Sequence, residues 1–141
     1  MIKIKLLTVH KIKEDWLQSA LQLYEKRMQA SCQLEWILAK TEVQLEALSV
    51  KEPHFIALDP HGKSFDSAQF SKWILKTAEN WRGKLTFVIG GPDGLTETCK
   101  KKASFLWSLS PLTFTGQITR LLLVEQLYRA FEINKGSGYH K

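Results

Sequence analysis

Leu85-Thr86-Phe87-Val88-Ile89 runs directly into Gly90-Gly91-Pro92-Asp93-Gly94-Leu95. The first five residues read as a buried strand, and the glycine-rich stretch reads as the loop leaving its C-terminal end. Further on, Trp107-Ser108-Leu109-Ser110-Pro111-Leu112-Thr113-Phe114 repeats the plan, with a strand followed by a loop of small residues. A long helix follows, and the sequence closes on Tyr139-His140-Lys141. Two such strand ends predict a pocket lined by backbone, because glycine lets N–H and C=O groups approach a ligand where a Cβ would block them. The loop is not a dinucleotide fingerprint: G-x-G-x-x-G is absent, Pro92 interrupts it, and no Walker A lysine-serine pair follows.

Outward from these two motifs, strands alternate with helices. Ile2–Leu6 alternates apolar and polar, which predicts a half-exposed edge strand. Glu14 to Arg27 places Trp16, Leu17, Ala20, Leu21 and Tyr24 on one helical face. Gln33–Leu38 reads as the second strand. Thr41-Glu42-Val43-Gln44 has the form of a capping box opening a helix to about Leu48. Phe55–Leu58 is a buried strand expected to stop at the turn Asp59-Pro60-His61-Gly62, after which Ser67 is the expected cap of a helix carrying Phe70, Trp73, Ile74, Ala78 and Trp81. Thr96 begins a helix through Lys100-Lys101-Lys102, Phe105–Leu109 is the fifth strand, and Gln117–Ile133 is a helix with a broad apolar surface. The alternation predicts an α/β fold in a single domain spanning residues 1–141, a mostly parallel sheet with helices on both faces. Ligands in such sheets bind beyond the carboxyl ends of the strands, so the loops after Leu58, Ile89 and Leu109 are expected to share a pocket. The surplus apolar surface on the last helix predicts burial against another helix or a second copy of the chain.

Composition narrows the class. Apolar content of 44% fits a globular chain rather than a disordered one. No stretch reaches the roughly 20 apolar residues of a membrane span, and Met1-Ile2-Lys3-Ile4-Lys5 is not a signal-peptide core. Cys32 and Cys99 have no metal-ligand neighbours and suggest no disulfide framework, which favours a reduced, cytoplasmic setting without a membrane. His10, His54, His61 and His140 are scattered, so no metal is expected, and no G-x-S-x-G supports a serine hydrolase. Twenty Lys and Arg against fourteen Asp and Glu leave a net charge of +6, compatible with a polyanionic partner but not diagnostic of one. Lys100-Lys101-Lys102, Lys135 and Lys141 are candidates for phosphate contact, set against an ordinary solvated face.

Four segments, Phe87–Gly94, Trp107–Phe114, Glu125–Phe131 and the Tyr-His ending, stand in the order and spacing of one family. In them the chain resembles the RlmH family of SPOUT-class RNA methyltransferases, and the resemblance covers essentially all of the sequence. It implies S-adenosylmethionine as cofactor, and as reaction the methylation of pseudouridine N3 in 23S ribosomal RNA, on a large subunit or assembled ribosome. It also implies a homodimer and a deep trefoil knot at the C-terminal end.

The resemblance further implies a cofactor pocket of Leu58, Gly90, Leu109, Ser110, Pro111, Leu112, Thr113 and Phe114. There Leu58 and Leu112 flank an adenine, and the 109–114 loop offers main-chain groups to its edge and to the ribose. Tyr139, His140 and Arg120 are the implied catalytic or substrate-side residues: Tyr139 stacks on the target base, His140 accepts or orients its proton, and Arg120 touches RNA. Glu125 reads as structural. A polar, glycine-rich tail would by itself be expected to fray; the resemblance orders it at the substrate side, on its own pocket or a partner's. One departure stands out, because Thr115-Gly116 occupies the place of the family's usual Pro-His. The segment from Leu38 to Lys51 is also shorter than is usual there. The rival readings are a catalytically impaired SPOUT-fold protein that binds RNA or ribosomes, and a small flavodoxin-like nucleotide binder. The position of the glycine loop on the fourth strand argues against the second.

Overall fold

A computed structural model describes residues 1–141. Five strands, β1 (Ile2–Val9), β2 (Cys32–Ala39), β3 (Ile56–Ser64), β4 (Lys84–Val88) and β5 (Phe105–Ser108), form one sheet in the order β2-β1-β4-β3-β5. Every pairing is parallel. The helices are α1 (Asp15–Met28), α2 (Glu42–Val50), α3 (Ser67–Asn80), α4 (Glu97–Lys102) and α5 (Gly116–Lys135). The predicted α/β sheet with helices on both faces is what forms.

Period-two alternation sends Ile4 and Leu6 of β1, Leu85 and Phe87 of β4 and Ile56 of β3 to one face, where they pack with buried residues of α1, α3 and α5. Leu7, Val9, Ala57 and Val88 face the other way, against Leu45 of α2 and Cys99 of α4. β1 is therefore not an edge strand. It is paired on both sides, and its polar residues Lys3 and Lys5 sit where the second face is thinly covered; Lys5 is held by Glu52 at 3.1 Å. The five-residue window missed Leu7, Thr8 and Val9, all buried, which make the strand central.

Three further expectations are corrected. Asp59-Pro60-His61-Gly62 does not end β3; the register against β5 jumps between Leu58 and Lys63, so the four residues are a bulge inside a strand that continues. Gly62 is needed there because a Cβ would lie 2.6 Å from the Leu106 carbonyl carbon and oxygen. The cap of α3 is Asp66, in a complete capping box with Gln69, and not Ser67. Trp16 is 54% exposed rather than buried on the inner face of α1.

Helix α5 packs between α1 and α3. Its apolar breadth is largely used inside the chain: Leu123, Val124, Leu127, Ala130 and Phe131 are buried. Ile118, Leu121, Leu122 and Tyr128 of α5 stay half-buried, and α1 adds exposed apolar side chains at Trp16 and at Leu23, which is 48% exposed. No helix is long and apolar enough to cross a membrane.

Candidate active site

The bulge of β3, the loop after β4 and the loop after β5 surround a cleft of about 520 Å³ beyond the carboxyl ends of these strands. Leu58, Gly90, Leu109, Ser110, Leu112, Thr113 and Phe114 all line it. Pro111 does not; it is exposed on the outer side of its loop. The predicted residues thus come together, with one exception. A larger cleft of about 780 Å³ lies over the thinly covered second face, between Lys3, Glu35, His54 and Lys84, away from the glycine loop.

The glycine loop closes on itself. Gly91 and Gly94 form a bridge, and a Cβ on Gly90 would come within 2.8 Å of the Gly94 carbonyl carbon and 2.9 Å of Leu95 N. Gly90 is thus required by the loop's own backbone rather than by space for a ligand, a correction to the expected reason. Thr8 and Ile89 fasten the base of the loop, with the Thr8 hydroxyl donating to the Ile89 carbonyl at 2.9 Å.

Asp59 was missed as part of the cleft. It is 7% exposed, accepts from the His61 N–H at 3.0 Å, and lies 3.5 Å from Lys100 Nζ. Lys100 also neighbours Glu97, so the first lysine of the triple is committed to ion pairs, one of them with the wall residue Asp59, while Lys101 and Lys102 are exposed. Lys135 is half-exposed beside Glu132. A lysine run carries no signal that separates its first member from the others.

Thr115 and Gly116, the departure noted above, form the start of α5 and the rim of the cleft. The Thr115 hydroxyl accepts from the Ile118 N–H at 3.2 Å and its carbonyl accepts from the Thr119 hydroxyl at 2.9 Å, so threonine supplies a helix cap.

Arg120 is 1% exposed and does not reach solvent, which corrects its assignment to RNA contact. One guanidinium nitrogen donates to the Val9 and His10 carbonyls at 2.6 and 2.7 Å. It thereby holds the turn after β1, where His10 takes a left-handed φ of 69°. Burial pushes its pKa below the ordinary value, and Nε and the other terminal nitrogen have no partner.

The C-terminal tail does not fray. Gly136, at φ 68°, ends α5, and the chain turns back along the helix. The Tyr139 hydroxyl donates to Glu125 Oε2 at 2.8 Å and its ring stands edge-on to Tyr128. Burial, then the Glu125 carboxylate, hold the Tyr139 phenol well above its ordinary pKa, so it remains a donor. Arg129 pairs with Glu125 through two nitrogens, at 2.8 and 3.3 Å, and places a third 3.0 Å from His140 Nδ1. Glu125 is structural, as expected; its partner is Arg129, one turn on.

The sequence from residue 2 to 140 matches the family model described as a predicted SPOUT methyltransferase. The chain belongs to the SPOUT methyltransferase family. Among SPOUT relatives, a protein of Protochlamydia amoebophila named ribosomal RNA large subunit methyltransferase H is 48% identical over 141 residues, covering all of both chains. One of the same name from Streptococcus sanguinis is 38% identical over 159 residues, covering 99% of this chain and all of the relative. Among solved structures, a probable methyltransferase from Bordetella pertussis superposes with a TM-score of 0.60 at 11% identity, covering 92% of this chain and 96% of that one. A putative methyltransferase from Legionella pneumophila, solved with its bound cofactor SAM, gives 0.53 at 13% identity over 92% of this chain and 66% of that one. At these identities the two likenesses show a shared fold.

Proposed function

We propose that this chain is a cytoplasmic, homodimeric S-adenosylmethionine-dependent methyltransferase acting on N3 of a pseudouridine in 23S ribosomal RNA. The carrying observation is full-length identity of 48% to a protein named for large-subunit ribosomal RNA methylation, combined with a cleft assembled from the three expected loops. The cleft fits the cofactor's nucleoside in kind: its volume is that of a small-molecule site, its walls are apolar at Leu58 and Leu112, and the glycine loop and the 109–114 loop present backbone. The bound cofactor supplies an electrophilic methyl on sulfur. Leu58, Gly90 and the 109–114 loop would hold that group, which would supply its methyl to N3 as the S–CH3 electron pair returned to sulfur and the N3 proton passed to solvent. The protein's work is to align nucleophile and methyl and to exclude water, for which a preshaped cleft suffices.

The C-terminal trefoil knot belongs to this reading through the family to which the chain belongs. For the dimer, the exposed Trp16 and Leu23 on α1 are the natural anchors, beside the half-buried Leu121 and Tyr128 of α5. The deciding experiment incubates purified protein with unmodified ribosomes and S-adenosylmethionine, then reads the RNA by mass spectrometry. A methylated pseudouridine upholds the reading. Ribosome binding without any methyl mark points to the impaired relative instead, with Thr115-Gly116 as the first residues to restore.

A further inference from the structure

The larger cleft, of about 780 Å³, lies at the end of the sheet where the strands begin, and no step of the proposed reaction uses it. Its floor is the sheet itself. Leu45 of α2 and Cys99 of α4 pack on Leu7, Val9, Ala57 and Val88, further along the same face, and leave the first residues of β1 and β4 uncovered. Lys3 stands beside Lys84 in the register of these two strands, and Lys5 stands beside Thr86 in the next row. Lys5 and Thr86 share one carboxylate, Glu52, at 3.1 and 3.0 Å. Glu35 is in that row too, beside Lys5 on β2. Lys3 and Lys84 are exposed and take part in none of the protein's ion pairs, although like charges abreast on a sheet repel.

One side of this groove is aromatic. Exposed His54 lies over half-buried Trp81, with ring centroids 5.0 Å apart and planes 12° from parallel. Trp81 packs on the main core, so the imidazole is the outer layer of the stack. Two unpaired ammonium groups beside a flat ring suit a single nucleic-acid strand: point charges for diester phosphates and a π-face for an unpaired base. The terminal phosphate of a free nucleotide is more often cradled by N–H groups at a helix start, and no helix begins at this groove. From Lys3 to Val9 the strand runs about 20 Å, and the candidate cofactor cleft opens beyond that far end. A nucleotide in the groove is therefore not the one that receives the methyl.

We propose that this groove holds a single-stranded segment of the RNA substrate, with Lys3 and Lys84 on its phosphates and a base stacked on His54. The inference rests on the methyltransferase reading for the RNA to which the strand belongs, while the groove can be tested without turnover.

Binding is read first by fluorescence anisotropy with fluorescein-labelled decauridine, which needs no methyl transfer. Lys3→Gln combined with Lys84→Gln should weaken binding about tenfold and lower the slope of log affinity against log salt by about 1.4. His54→Ala should weaken binding about fivefold and leave the slope unchanged. Lys72→Gln combined with Lys76→Gln removes the same charge from exposed positions of α3, on the other face of the sheet, and should keep affinity within about twofold of wild type. Wild-type affinity in the Lys3 and Lys84 double variant, or an equal loss in the α3 control, overturns the groove. Uridine monophosphate competing as well as decauridine overturns the strand in favour of a nucleotide site. On ribosomes with a radiolabelled methyl donor, the Lys3 and Lys84 double variant should raise KM about tenfold, with kcat and calorimetric cofactor affinity within about twofold. An unchanged KM overturns the groove's part in holding the substrate. If the wild type binds decauridine through the groove but transfers no methyl, the preceding reading fails and the strand site stands.

Discussion

Replacing Gly90 by alanine adds one methyl group to the tightest point of the cleft proposed for the cofactor. Its carbon would stand 2.8 Å from the Gly94 carbonyl carbon and 2.9 Å from Leu95 N. Ordinary contact begins at about 3.4 Å, so the two arms of the loop must separate by roughly 0.6 Å, and the obstacles are main-chain atoms with no rotamer to change. The overpacking costs about 1–3 kcal/mol. If the loop relaxes where it stands, most of that appears as lost ligand affinity: each 1.4 kcal/mol is tenfold, so S-adenosylmethionine should bind about 10- to 100-fold more weakly. The sheet below is fastened independently by Thr8 and Ile89, so thermal unfolding should fall by only a few degrees. Isothermal titration calorimetry beside a melting curve separates the two effects. An affinity within twofold of wild type would refute the argument that the closed Gly90–Gly94 loop forms the binding surface.

Arg120→Met should destabilise the fold by about 3 kcal/mol in urea titrations, because it strips the Val9 and His10 carbonyls of their buried donor, without lowering the salt dependence of RNA binding. Thr115→Ala should cost about 1 kcal/mol by removing the cap of α5. Neutralising Lys101 and Lys102 together should reduce the slope of log affinity for ribosomes against log salt by about 1.5, with cofactor affinity unchanged. Burial, then Glu25, push the Cys32 thiol from 9.0 up to about 11. The unfolded chain therefore releases this proton first, and stability should decline as pH rises from about 9 to 11. Cys32→Ala should flatten that part of a denaturation-against-pH curve.

What was legible in the sequence was whatever a local pattern encodes. Helical spacing located α1, α3 and α5, Thr96 and Thr41 marked their helix starts, and two small-residue loops after strands marked the cleft. Partnership across the chain was not legible. Ile2–Leu6 alternates as an edge strand does, yet lies between β2 and β4, because alternation records one open face and says nothing of how many neighbours a strand has. Gly62 looked like a turn residue because no local signal reveals that Leu106 presses on it. Arg120 resembled a ligand-binding arginine because its acceptors, the carbonyls of Val9 and His10, lie more than a hundred positions earlier. Arg129 stood inside a segment already singled out, but its hold on His140 depends on the tail folding back after Gly136.

The bond from Arg120 to the turn after β1 also sets an order of events. The first strand is made first, while the group that satisfies its last carbonyl and steadies His10 arrives on the final helix. Gln117 joins the same end, accepting from Lys13 N and donating to the Lys11 carbonyl. Such pairings close nearly the longest loop the chain can form, the kind of contact that slows folding most. A nascent chain can therefore collect its sheet early but cannot lock it until synthesis is all but finished. Chains terminated before Gln117 and Arg120 are made should remain open at the end of the sheet where the candidate cleft lies, and so be readily degraded rather than partly functional.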